Sequence, residues 1–119
     1  MEQSALFLFN NMKEETIYFN SLKNNKDKVE YILKNKNRAR DNDNYLVALF
    51  WYYENPKIMD NTITMHEFLR SFKNNMIVSP DIITRSRRKL QEFDPELRGE
   101  NYNKRHKSAK YIKNNIKEL

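Results

Sequence analysis

Cysteine is missing from this sequence, and glycine and proline are scarce, with one Gly and three Pro among 119 residues. Without cysteine the chain can form no disulfide, no thiolate zinc site and no cysteine nucleophile. The scarcity of glycine and proline disfavours the many tight turns of β-sandwiches and barrels, and it favours helices. We therefore expect an all-α protein.

Long hydrophobic runs are missing as well. The run nearest the N-terminus, Ala5 to Phe9, is too short for a signal peptide or a membrane span, and no basic leader precedes it. We therefore predict a cytoplasmic protein with no membrane partner.

Residues that carry catalysis are few. Two histidines and a single glycine provide no phosphate loop, no nucleophile elbow and no metal cluster. His66 lacks the second histidine of a zinc-protease motif, so we interpret it as a surface or cap residue. Asp41 and Asp43 have arginines close by in the sequence, which favours capping and ion pairing over acid–base catalysis. We predict no enzyme, no cofactor and no bound metal.

Aromatic residues, in contrast, are plentiful, with seven Phe, seven Tyr and one Trp. The run Tyr45–Tyr53 is apolar almost all round, which is typical of a helix buried on most of its faces. We predict a single compact bundle of about five helices around this run. Its segment Phe50–Tyr53 could stack nucleic-acid bases if it were exposed, although we favour core packing.

The first 24 residues form an N-terminal extension whose structure the pattern leaves open. Short apolar runs at Ala5–Phe9 and Thr16–Phe19 flank a polar stretch, and such short runs fit two strands or one irregular helix equally well. We expect the extension to pack on the rest of the chain, at a subunit interface. Residues 25–119 then constitute the helical domain.

Two strong helix starts follow in the second half. Thr64 and Glu67 are spaced as a capping box. Behind them, a predicted core-facing stripe consists of Met65, Phe68, Leu69, Phe72 and Met76. Ser79-Pro80-Asp81 combines a cap, a first-turn proline and an acid that suits the helix dipole. Two helices joined by a short link predict a helix-turn-helix-like unit at residues 64–93.

The positive charge is concentrated in this half. Residues 1–62 carry nine basic and nine acidic side chains, and residues 63–119 carry thirteen against seven, so the second half holds the whole excess of +6. A polyanion would dock there, although a merely solubilising surface is the alternative. The basic C-terminal helix predicted at 101–118 could also lie on a membrane or in a partner's groove.

These patterns select the candidate contacts to nucleic acid. In the second helix of the unit, we expect an apolar arc to be anchored and an arginine-rich face to stay free. The anchored arc comprises Ile82, Ile83, Ser86, Leu90 and Phe93. The candidate base contacts are Thr84, Arg85, Arg88 and Gln91. The candidate phosphate contacts are Arg87, Lys89, Lys104, Arg105, Lys107 and Lys110.

Two stretches are distinctive: Arg40 to Tyr53, and Ser-Pro-Asp-Ile-Ile-Thr-Arg-Ser-Arg-Arg-Lys-Leu-Gln-Glu at residues 79–92, followed by Pro95–Arg98. They resemble small proteins encoded by phages and prophages of Gram-positive bacteria, over roughly residues 26–113. The resemblance implies a mobile-element origin, the cytoplasm of a host cell and a helical fold that could be winged-helix-like. It implies no particular activity.

Taken together, the sequence predicts a non-catalytic protein that binds duplex DNA in a regulatory or accessory role. We also expect a homodimer, because one recognition helix buries too little surface for specificity. The alternative is a protein-binding inhibitor or modulator of a host factor, such as a defence or transcription protein. A DNA mimic would be acidic, and this chain is basic.

Overall fold

The predicted all-α class is confirmed. The computed structural model describes residues 13–59 and 63–118, apart from the side chains of residues 58, 59, 108–110 and 114–118. The α-helices of this part are α1 (residues 13–21), α2 (Asn25–Asn35), α3 (Asp43–Glu54), α4 (Met65–Lys73), α5 (Pro80–Phe93) and α6 (Tyr102–Glu118). Short 3₁₀ turns lie at Asn37–Arg40, Pro56–Met59 and Pro95–Leu97. Within these ranges there is no strand, and no helix has the length and hydrophobicity to cross a bilayer.

Side-chain caps explain where four of these helices begin. Each cap oxygen accepts a hydrogen bond from a backbone amide three residues on, which satisfies one of the free amides of the first turn. The caps of α2 to α5 are Asn24, Asn42, Thr64 and Ser79, with N···O distances of 2.8, 3.0, 3.1 and 3.4 Å. Beyond the end of α4, Asn75 adopts φ 58°, a left-handed conformation in which asparagine can replace glycine after a helix. The predicted starts of α3, α4 and α5 are therefore confirmed.

The hydrophobic core lies where α2, α3 and α5 pack against one another. It is built from Phe19, Val29, Ile32, Leu33, Ala39, Leu46, Val47, Phe50, Tyr53, Ile83, Leu90 and Leu97. The run at Tyr45–Tyr53 contributes to its centre, because Phe50 and Tyr53 are buried and Trp51 and Tyr52 are half-buried. Core packing, rather than base stacking, is thus confirmed for Phe50 and Tyr53.

The described part of the N-terminal extension is helical and belongs to this core. Phe19 is fully buried, and its ring meets that of Phe50 edge-on at 5.2 Å. Asn20 donates a hydrogen bond to the backbone oxygen of Tyr53 at 2.9 Å, and the Tyr53 hydroxyl donates to Glu15 at 3.0 Å. Burial, followed by the bond to Glu15, raises the pKa of Tyr53 well above its usual range. Residues 1–12 of the extension lie outside the described residues.

The prediction that the α4 stripe faces the core is wrong. No side chain of α4 is buried. The rings of Phe68 and Phe72 lie against Trp51 of α3, at 5.6 and 6.2 Å between centroids. The Trp51 indole N–H donates to the backbone oxygen of Val78 at 2.7 Å, which ties the link between α4 and α5 to the same ring. The two helices of the predicted helix-turn-helix are present, but the ring contacts of α4 run to α3, so the unit itself stays a prediction.

Candidate nucleic-acid surface

The buried face of α5 is not the apolar arc that its sequence suggests. The buried residues are Ile83, Arg87, Leu90 and Gln91. At 100° per residue, the centre of this set is rotated by roughly 70° from the centre of the predicted arc. Ile82 and Phe93, both expected to be anchored, are 45% and 83% exposed. The rotation takes two polar side chains into the interior.

Arg87 is one of these two, and it is only 6% exposed. Its Nε lies 2.7 Å from Oδ1 of Asp43, and its Nη2 donates to Oδ2 of the same carboxylate at 3.4 Å. Its Nη1 donates to Oε1 of Gln91 at 2.9 Å. The Nε–Oδ1 contact is an ion pair without hydrogen-bond geometry, and an arginine removed from water needs such charged and polar partners. The ion pair therefore fixes α5 to the first turn of α3.

Gln91 is the other, and it is fully buried. Its amide nitrogen donates to the backbone oxygens of Arg40 at 2.9 Å and of Leu97 at 3.2 Å. These two bonds join α5 to the 3₁₀ turns at Asn37–Arg40 and Pro95–Leu97. The side-chain oxygen accepts the bond from Arg87 of the same helix. The side chain thus satisfies buried carbonyl groups that would otherwise lose water without compensation.

The expectation that Arg87, as a phosphate contact, and Gln91, as a base contact, stay free on the outer face of α5 is therefore wrong, because both side chains are buried and hydrogen-bonded within the fold. Arg87 lies 44 residues from Asp43 in the sequence, and Gln91 lies 51 residues from Arg40. No local spacing reveals such partners. The one local signal for a buried arginine is the Asp41-Asn-Asp43 acidic turn. Its position in the sequence predicts helix capping and ion pairing with the arginines next to it, not with Arg87.

The connection from α5 to α6 is held by the same region. Arg98 donates to the backbone oxygens of Gln91 at 2.6 Å and of Glu92 at 3.0 Å. Gly99 lies so close to the Asp41 carboxylate that a Cβ at this position would overlap it. Asp41 in turn accepts a hydrogen bond from the backbone amide of Asn101 at 3.1 Å. A side chain at the chain's only glycine would therefore displace the Asp41 carboxylate, while the φ angle of Gly99 lies outside the left-handed region.

The stretches that resemble phage proteins come together around Arg87 and Gln91. The Arg40–Tyr53 stretch supplies Asp43, the Ser79–Glu92 stretch supplies Arg87 and Gln91, and Pro95–Arg98 follows directly. In this chain, Asp43, Arg87 and Gln91 of those stretches therefore hold helices together.

The remaining predicted contacts on α5 differ in how free they are. Arg85 is exposed but paired with Asp81 at 3.0 Å. Thr84 is half-buried, and its hydroxyl donates to the backbone oxygen of Asp81 at 3.3 Å. Arg88 and Lys89 are exposed, and Arg88 makes only a long contact of 3.5 Å with the backbone of its own helix. Arg88 and Lys89 are consequently the most available cations of this helix.

A groove between α5 and α6 brings cations of both helices together. We call it the cationic groove. Its lining residues are Arg87, Arg88, Gln91, Glu92, Tyr102, Arg105 and His106. The Arg98 guanidinium carbon lies over the Tyr102 ring, 4.3 Å from its centroid. The His106 ring contacts the same ring, with 4.3 Å between the two centroids. These contacts hold Arg98 and His106 on the Tyr102 ring, beside the groove.

α6 carries the densest positive charge of the chain, with six basic residues and one acidic residue between Tyr102 and Glu118. Lys104 and Lys107 are exposed. Arg105 is 3.8 Å from Asp41, a long ion pair with 42% of the arginine side chain still exposed. His106 is exposed and packs on Tyr102. The side chain of Lys110 lies outside the described residues.

The described residues contain no group of three or more histidine, aspartate or glutamate side chains that could hold a metal ion. In comparisons with known proteins, the chain matches no family model, no curated protein and no solved structure.

Proposed function

We propose that this protein binds duplex DNA without catalysis, in a regulatory or accessory role, by holding the phosphate backbone. The observation that supports this proposal most is that Arg88 of α5 and Arg105 of α6 line one groove. Exposed Lys89, Lys104 and Lys107 lie on the same two helices. Two helices can thereby present cations to one polyanion.

The physical basis is neutralisation of phosphates by lysine and arginine, which releases condensed counterions and supplies most non-specific affinity. The buried Arg87–Asp43 pair supports this use indirectly, because it fixes the orientation of the helix that presents Arg88. Base reading by Arg85 would require loss of its pair with Asp81. We therefore propose phosphate contacts as the main source of affinity, with sequence reading as a minor part.

The resemblance to phage and prophage proteins supports a role on a mobile element, and the need for a larger footprint supports a homodimer on DNA. A protein-binding role is the second candidate, because α4 exposes an apolar stripe. That surface lies on a different helix from the cationic groove.

The test is the salt dependence of affinity for a short labelled duplex, measured by fluorescence anisotropy. The double variant Arg88→Ala with Arg105→Ala removes the two exposed arginine charges that line the groove. We expect weaker binding to every duplex sequence, and a log–log salt slope lower by about 2, since each lost phosphate contact removes about one unit.

A matched control removes the same amount of positive charge from a site outside the groove. Lys23→Ala with Lys26→Ala removes two exposed lysines, one just before α2 and one in its first turn, and should leave the slope unchanged. If both double variants weaken binding equally, the proposed surface is wrong. If the native chain binds no duplex even in low salt, DNA binding is wrong and protein binding becomes the leading function.

A further inference from the structure

α4 displays an apolar stripe that nothing in the described part of the chain covers fully. Met65 is 71% exposed, Leu69 55% and Met76 76%. With Phe68 and Phe72, Met65 and Leu69 fall within an arc of roughly 100° on a helical projection, and Met76 follows just beyond the end of α4. Phe68 and Phe72 are anchored on Trp51, so the stripe is held in place on α3 while its outer side stays free.

The charge nearest the stripe is positive. Lys73 and His66 lie on one border, at roughly 90° and 110° from the centre of the stripe, whereas Arg70 and Glu67 both project from the far side of the helix, at roughly 150°. Arg70 contacts the His66 ring nitrogen at 2.9 Å, which keeps the guanidinium next to that border. An occupant of the stripe therefore meets apolar side chains first and cations at the edge.

From this arrangement we infer that the stripe of α4 is a docking surface for a partner protein whose own apolar face is bordered by acidic side chains. An apolar helix face fits a groove or a second helix in the usual helix-in-groove mode. Two of the three most exposed side chains are methionines, whose flexible thioethers adapt to varied surfaces. Charge complementarity at the border would set the choice of partner.

Two other occupants fit the stripe less well. A second copy of this chain would bring like-charged borders together, on a molecule with a net charge of +6. An anionic membrane is matched by amphipathic helices whose polar face is rich in lysine and arginine, whereas α4 carries two such residues and one glutamate. A protein with acidic borders therefore agrees best with the charge.

The test uses the full chain and two synthetic amphipathic helical peptides that share one leucine stripe. One peptide has glutamates beside the stripe and the other has lysines. We expect the acidic peptide to bind about tenfold more tightly, because only it complements the border of α4. Amide shifts in the NMR spectrum should map to residues 65–76, and affinity should fall with added salt.

Variants separate this surface from the proposed DNA surface. Leu69→Lys and Met76→Lys should lose most of the peptide affinity and keep duplex binding. Phe93→Lys, which changes another exposed apolar residue at the far end of α5, should leave peptide binding intact. The inference is overturned by equal affinity for both peptides, by shifts outside α4, by binding of the native chain to anionic vesicles instead, or by self-association that Leu69→Lys abolishes. It is also overturned if Leu69→Lys unfolds a monomer, since the stripe would then be covered within the chain.

Discussion

α3 and α4 are both rich in aromatic and aliphatic residues, yet they occupy opposite situations in the fold. α3 is apolar almost all round, and it buries Leu46, Val47, Phe50 and Tyr53. α4 has a far sharper division between apolar and polar faces, but it buries no side chain. The contrast teaches that a periodic apolar stripe shows which face of a helix is favoured for burial. It does not show which other surface buries that face.

The largest expected effect that tests this contrast is the cost of truncating one side chain in each helix. Phe50→Ala should destabilise the protein by about 3–5 kcal/mol, because Phe50 is fully buried and its ring meets Phe19. Leu69→Ala should change the free energy of unfolding by less than about 0.5 kcal/mol, since Leu69 is mostly exposed. Urea denaturation followed by circular dichroism measures both. A cost for Leu69→Ala near that of Phe50→Ala would remove the contrast.

A smaller effect is expected where the two helices meet. Trp51→Phe removes the indole N–H and leaves the Val78 carbonyl without its 2.7 Å donor. We expect a cost of about 1–2 kcal/mol, together with faster hydrogen exchange at the amides of α4 than in the native chain. Tyr52→Phe, at the next and likewise half-buried position of α3, serves as the control and should leave α4 exchange unchanged. Unchanged exchange in Trp51→Phe would show that another contact holds α4.

The smallest effect concerns the end of α3. Burial raises the pKa of Glu54, against the opposing attraction of Lys28, whose Nζ lies 3.9 Å away. A carboxyl group with a raised pKa in the folded state favours folding at low pH, and this contribution is lost as the pH rises through the folded-state pKa. Glu54→Gln should therefore be slightly more stable than the native chain at neutral pH and equal to it well below the ordinary glutamate pKa of 4.5.

Thermal unfolding across this pH range provides the measurement. Glu14→Gln, at an exposed position of α1, should show no such pH-dependent difference. If Glu54→Gln is less stable than the native chain at neutral pH, the pair with Lys28 outweighs the burial of the carboxylate.

Local signals made much of the fold predictable. The caps Thr64 and Ser79 and the left-handed Asn75 act within one turn of the chain, so their residue types alone indicate where α4 and α5 begin and where α4 ends. The apolar run of α3 likewise requires burial whatever surrounds it. The described helix of the N-terminal extension could not be chosen over strands, because its short apolar run carries no resolvable period.

The candidate site was less predictable, because its decisive contacts join distant parts of the chain. The charge of Arg87 suggested a free guanidinium, and only the position of Asp43 shows that it is buried. Arg88, its neighbour on the helix, has the same chemistry and stays exposed. Residue type alone therefore predicts which side chains are candidates for binding. The orientation of α5 about its axis determines which of them are buried in the fold and which stay exposed for a ligand.

That division between Arg87 and Arg88 is the central claim, and paired variants test it most directly. The measurement is duplex affinity in low salt together with the free energy of unfolding, for Arg87→Gln and Arg88→Gln. We expect Arg87→Gln to cost about 2–3 kcal/mol of stability, below the 3–5 kcal/mol of a fully buried pair, because 44% of the Asp43 side chain is exposed. We expect Arg88→Gln to keep full stability and to bind duplex DNA several-fold more weakly. A stable Arg87→Gln protein, or an Arg88→Gln protein with native affinity for the duplex, would contradict the account.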